Sequence, residues 1–172
     1  MEITELLKII IPALLVLLTA YLLLDRLLRN EEKRRQFELL KERNSKITPI
    51  RLRAYERLIL VLERTLPANL VLSTIKPEMS NIELHEQLLS NVRNEFSHNI
   101  SQQIYVSDEL WLHIHGAQES LLKLINTCAA QCNPTNPAVE LAERIIQIFS
   151  SSVKTPSEMA IEKLKNEVRN FF

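Results

Sequence analysis

Ser107–Cys128 reads SDELWLHIHGAQESLLKLINTC, and this stretch decides the fold. Its apolar residues Leu110, Ile114, Ala117, Leu121, Leu124 and Cys128 recur three or four positions apart, the period of a helix that buries one face. Ser107-Asp-Glu ahead of them supplies a capping hydroxyl and an acidic first turn. The stretch also holds Gly116, the only glycine among 172 residues. One glycine cannot supply the positive-φ positions that tight hairpins and phosphate-cradling loops require. Dinucleotide-binding, P-loop and many-hairpin β folds are therefore excluded, and an all-α chain is expected.

The same period extends in both directions. Leu84, Leu88, Val92, Phe96, Ile100 and Ile104 step by four behind Ser80-Asn-Ile-Glu83, which has capping-box spacing. Leu52, Tyr55, Ile59, Leu62 and Leu66 follow Thr48-Pro49, a hydroxyl before a proline suited to the first helical position. Ala138, Ala142, Ile145 and Phe149 come after the Asn133-Pro134 and Asn136-Pro137 breaks. Ile161, Leu164, Val168 and Phe171 follow a second capping box, Thr155-Pro-Ser-Glu158. Five amphipathic helices are expected, near 48–66, 80–106, 107–132, 136–152 and 156–172. Between them 67–79, with Leu70, Val71, Leu72 and Ile75, fits a short helix or an extended stretch. The closing Phe171-Phe172 pair is expected to dock on the bundle rather than contact a partner or a bilayer surface.

Toward the N-terminus the pattern changes from amphipathic to apolar throughout. Residues 9–24, IIIPALLVLLTAYLLL, carry no charge. With Leu6, Leu7 and a snorkelling Lys8 the run covers 6–24, roughly 28 Å of helix against a hydrocarbon core of about 30 Å. A transmembrane helix is expected, with Ile9, Leu15, Leu18 and Leu24 as its markers. A cleaved signal peptide fits less well, because MEITELLK holds two glutamates and no small-residue cleavage site follows the run. A buried core helix is the remaining alternative. Ala13 and Ala20 stand seven apart, so the span offers no small-x-x-x-small seam for tight pairing.

Beyond the span, Arg26, Arg29, Lys33, Arg34 and Arg35 face Lys8 alone on the other side, which orients the distal chain toward the cytoplasm. The expected organisation is an anchor over 1–28, a charged helical stalk over 29–47 and a helical bundle over 48–172. Charge is polarised along this plan. Residues 25–66 carry twelve basic and seven acidic side chains, and 67–172 carry eight and twelve, although the whole chain is neutral. A basic segment beside the anchor suits an anionic leaflet and gives no support for nucleic acid. Mixed pairs such as Glu31–Arg35 support a solvated stalk helix more than a coiled coil.

No sequence motif for catalysis occurs. Glu95-Phe-Ser-His98 has the Glu-x-x-His spacing of helical di-iron sites, yet only one such pair is present. A metal-dependent helical-bundle enzyme using Glu95, His98 and His113 or His115 is kept as the alternative function. Hydrogen-bonded or solvated histidines are the expectation for these and for His85. Cys128 and Cys132 continue an apolar stripe and are expected in the core as free thiols. No cofactor and no metal site is expected. The stretch 93–107 crowds polar side chains onto one helix, and Arg93, Glu95, His98 and Gln102 are its best-placed candidates for a binding surface.

Together the short N-terminal anchor, the charged stalk, IRLRAYERLI over 50–59 and HNISQQIYVS over 98–107 resemble a bacterial family of small single-pass membrane proteins with a helical cytoplasmic domain of unknown function. The resemblance covers nearly the whole chain. It implies an inner-membrane location with the N-terminus outside, and it assigns no catalytic residue. The expected function is a membrane-tethered cytoplasmic interaction or scaffold module, with a protein partner or self-association.

Overall fold

A computed structural model of the chain describes residues 3–151 and 154–171; the side chains of 3–9, 11–13, 16, 20, 40, 43, 44 and 171 lie outside that description. The described residues form six α-helices and one 3-10 turn: α1 (Ile3–Arg64), α2 (Pro67–Thr74), α3 (Asn81–His98), the turn Ile100–Tyr105, α4 (Asp108–Ala129), α5 (Val139–Ser151) and α6 (Pro156–Phe171). The chain divides into two compact units, Met1–Thr48 and Pro49–Phe172.

In the first unit all the side chains described except the half-buried Asp25 and Thr48 are exposed, apolar ones included: Ile10, Leu14, Leu15, Leu17, Leu18, Tyr21 and Leu24. Ion pairs four residues apart, Asp25–Arg29, Arg34–Glu38 and Glu42–Lys46, run along the charged part. Each adds a few tenths of a kcal/mol, roughly 0.2–0.5, to an exposed helix.

The second unit is a bundle organised around α4, which packs against α3, α5 and α6, while α2 packs against α3 and α5. Its core keeps much of the stripes read above, with Leu58 more deeply buried than Ile59 on α1, Ile125 than Leu124 on α4, Leu141 joining Ala142 on α5 and Ala160 joining Ile161 on α6. Tyr55, Leu58 and Leu62 come from α1; Leu84, Leu88 and Val92 from α3; Leu110, Ile114, Ala117, Leu121, Ile125 and Cys128 from α4; Leu141 and Ile145 from α5; Ala160 and Leu164 from α6. Residues 67–74 are helical, with Pro67 at the first position, where its missing N–H is not needed.

Asn81, buried at 3% exposure, braces α3 to the segment before α5. Its Nδ2 donates to the Asn133 carbonyl at 2.8 Å and to Glu140 Oε2 at 3.0 Å, and its Oδ1 accepts from the Leu141 N–H at 3.2 Å. The Asn81 N–H itself donates to the Asn136 carbonyl, and the Ala138 N–H to the Met79 carbonyl. The Asn-Pro breaks thus become a structured connection rather than a loose loop.

Three sequence expectations change. Thr48-Pro49 starts no helix: it lies inside α1. The charged segment before it is rich in Glu, Lys, Arg and Leu, so a helix arriving from that side continues through the proline at the loss of one hydrogen bond. The helix expected over 80–106 stops at His98, because Asn99 turns its side chain back and donates to the Glu95 carbonyl at 2.8 Å. Such local bonding by Asn competes with helix continuation. Ile100 and Ile104 consequently leave the stripe and stand 57% and 73% exposed. Finally, among the described residues no helix is long and apolar enough to cross a membrane. The expected span over 6–24 falls in good part on side chains outside the description, Ile9 among them, while Leu15, Leu18 and Leu24 are exposed. The Phe171-Phe172 expectation also lies outside the described side chains.

Candidate functional site

The four residues singled out in 93–107 separate into three environments. Glu95 and His98 line an open groove of about 620 Å³ together with Glu63, Arg64, Asn69 and Asn91. Arg64 lies 3.5 Å from Glu95 across it, an exposed pair worth at most about 1 kcal/mol. The groove's amides are already engaged: Asn69 Nδ2 donates to the Glu63 carbonyl and Asn91 Nδ2 to Thr74 Oγ1. Arg93 points elsewhere, to a small cleft between α3 and α4 that holds Phe96, Trp111 and His115. Gln102 is buried, and its Nε2 donates to Ser101 Oγ at 3.2 Å. Helix geometry explains the split, because positions two apart face different sides and the 3-10 turn re-aims everything after Asn99.

The histidines are likewise dispersed. His85 Nε2 lies 2.8 Å from Asn126 Oδ1. His113 borders a groove with Leu112, Gly116 and Met159, whereas His115 borders the cleft of Arg93. Among the described residues no three His, Cys, Asp or Glu side chains converge to hold a metal ion, and His98 shares no cleft with His113 or His115.

Cys128 and Cys132 are free and buried. Burial pushes the Cys128 thiol above its ordinary range and the neighbouring Cys132 adds to this, with Arg144 opposing. Cys132 is raised by burial and by Glu140, again against Arg144. The guanidinium of Arg144 reaches them from α5, a neighbour invisible in the sequence. Both thiols stay protonated at neutral pH and are poor nucleophiles.

The most connected polar cluster escapes motif reading altogether. Arg51 donates from Nε to the Tyr105 carbonyl at 2.9 Å and from Nη2 to the Tyr55 hydroxyl at 3.0 Å. The Tyr55 hydroxyl donates to Glu167 Oε1 at 2.8 Å, which also accepts the Ser107 N–H at 3.0 Å; Ser107 Oγ donates to Glu167 Oε2. Burial alone would push the Glu167 carboxyl up. The two bonds from Ser107 and the one from Tyr55, with Arg51 close by, outweigh it and hold the group below its ordinary range. Tyr55 is raised, first by burial and then by its bond to Glu167. This cluster joins α1, the start of α4 and α6, and its chemistry is that of a brace. The capping role of Ser107 is legible locally; Glu167, sixty residues on, carries no sequence signal that points back to it.

Fold and sites define an all-α protein whose second unit is a helical bundle with open grooves. The chain belongs to a family of unknown function, DUF7935, whose model matches residues 1–171. No curated protein and no solved structure matches it.

Proposed function

We propose that this protein is a membrane-tethered helical module that binds a partner protein at a cytoplasmic membrane, its first unit serving as anchor and its bundle as the binding head. One observation carries the reading: within the uncharged run 9–24 every apolar side chain described, from Ile10 and Leu14 to Leu24, is exposed. Contiguous apolar surface of that extent is stable only in an apolar medium or under a partner, and its length matches a bilayer core. The basic excess immediately after the run favours a cytoplasmic bundle, as in the bacterial inner membrane. The open groove of Glu95 and His98, about 620 Å³, is the surface proposed for the partner.

Two measurements test this. Expressed in bacterial membranes, the full chain should stay in the pellet through an alkaline carbonate wash, and Leu15→Lys with Leu18→Lys should release it. A photoreactive residue at His98 should capture one stoichiometric protein that the same residue at Glu143, on another helix, does not. Release of the unaltered chain by carbonate would remove the anchor, and repeated failure to capture any partner at His98 would remove the binding role.

A further inference from the structure

The geometry points to a second binding site on the bundle: the cleft between α3 and α4 takes a protein segment in which a large apolar side chain stands beside a carboxylate. This rests on the reading of the bundle as a binding head, and it names the chemistry of a ligand at a place distinct from the His98 groove.

The cleft is about 180 Å³ in volume, lined by Arg93, Phe96, Ile100, Trp111, Ile114 and His115. Drug-sized ligands occupy roughly 300–1,000 Å³, so this space suits one inserted side chain. Its floor is apolar: Ile114 is 1% exposed and Phe96 8%, and Trp111 is half-buried. Ile100 forms an apolar lip at 57% exposure, placed there by the break at Asn99. Large apolar anchors seated in such pockets dominate the energetics of protein interfaces.

The rim supplies the second half of the argument. Arg93 and His115 are exposed, and neither makes a hydrogen bond or ion pair among the described residues; Gln118, beside them, makes none either. Arg93 differs in this from Arg144, which bonds Gln131, from Lys163, which pairs with Glu109, and from Arg64, which pairs with Glu95. Arg53 and Arg169 are likewise unpaired among the described residues, and what sets Arg93 apart is the apolar floor beside it. No carboxylate lines the cleft. An unpaired guanidinium over an apolar floor is complementary to a carboxylate next to an apolar side chain, because its planar donors match the two carboxylate oxygens.

Trp111 is the only tryptophan in the chain, so the site reports on itself. The full chain in a non-denaturing detergent is titrated with acetyl-Asp-Leu-Phe-Asp-amide and with its neutral counterpart acetyl-Asn-Leu-Phe-Asn-amide, following Trp111 emission. The acidic peptide should saturate the signal and bind about tenfold tighter than the neutral one, the ratio expected when a charge-assisted bond of about 1.4 kcal/mol is present. Arg93→Ala, at an exposed position, should abolish that ratio while leaving weak binding of both peptides. Ile100→Asp should weaken both. Equal binding of the two peptides, a ratio that survives Arg93→Ala, or a linear unsaturated response would each overturn the site. So would a response to vesicles of anionic lipid alone. Stoichiometric capture at His98 with no peptide discrimination here would remove this cleft and leave the binding head standing.

Discussion

α3 and α4 begin in the same way and are secured differently. At α3 the Ser80 hydroxyl accepts the Glu83 N–H, while Glu83 Oε2 accepts from the Ser80 N–H at 2.8 Å, so both donors are satisfied within four residues. At α4 the Ser107 hydroxyl accepts the Leu110 N–H at 3.1 Å, but the carboxylate that closes the arrangement is Glu167, from α6. A local box stabilises one helix; the remote one ties a helix start to two other helices. The difference is between secondary and tertiary structure written in the same chemistry.

Glu167→Ala is the strongest way to break this contrast. It removes the acceptor of three hydrogen bonds and leaves the buried Tyr55 hydroxyl with fewer partners, so a loss of about 2–3 kcal/mol in urea unfolding is expected. The effect carries a pH signature. Glu167 is held below its ordinary pKa in the folded bundle, so its stabilisation is fully present above the unfolded-state value of 4.5 and disappears as pH falls through the lower folded value. The unaltered chain should lose stability in that acid window more steeply than Glu167→Ala. Parallel curves would show that the carboxylate contributes nothing through its charge. Glu83 and Glu158 are depressed by their own caps and remain in the variant, so some acid slope persists.

Double-mutant cycles sharpen the same point. Ser107→Ala and Glu167→Ala share one hydrogen bond, from Ser107 Oγ to the carboxylate, while the backbone N–H of residue 107 still donates in the first variant, and a coupling energy of about 1 kcal/mol is expected between them. Coupling between Tyr55→Phe and Glu167→Ala should be of similar sign and smaller. Additive losses for both pairs would mean that the cluster is a set of independent contacts. Ser80→Ala, which removes only a local cap, should cost about 1 kcal/mol. Its loss should show no coupling to Glu167→Ala.

Most of the bundle was legible for the reason that the Ser80 box was. Stripes such as Leu84, Leu88 and Val92 or Leu110, Ile114 and Ala117 record burial at a fixed period, and hydroxyl-to-glutamate spacing records a cap within one turn. What escaped depends on competition or distance. The break at Asn99 arises because its side chain outbids the next backbone bond, although Ile100 and Ile104 keep the helical spacing. The burial of Gln102 follows from that break, whereas Arg93 is separated from Glu95 and His98 by the helix period within α3 itself. Neither the Asn81 brace to Glu140 nor the Glu167 cap has a local signature, since each joins segments about sixty residues apart. Thr48-Pro49 shows the converse error, a correct local start signal overridden by a strongly helical segment on its N-terminal side.

The smallest effect concerns Gly116, where local preference should act without tertiary interference. It lies inside α4 with no positive φ, and a Cβ built on it meets nothing within 4 Å. Neither backbone conformation nor packing in the isolated chain therefore needs glycine there. Gly116→Ala should raise stability by about 0.8–1 kcal/mol, through lower backbone entropy in the unfolded chain and better helix propensity. A gain of that size, independent of protein concentration, would place α4 under purely local control at this position. A loss that deepens with concentration would mean that a second copy of the chain approaches the groove beside Leu112 and Met159 closely enough to touch the added methyl group.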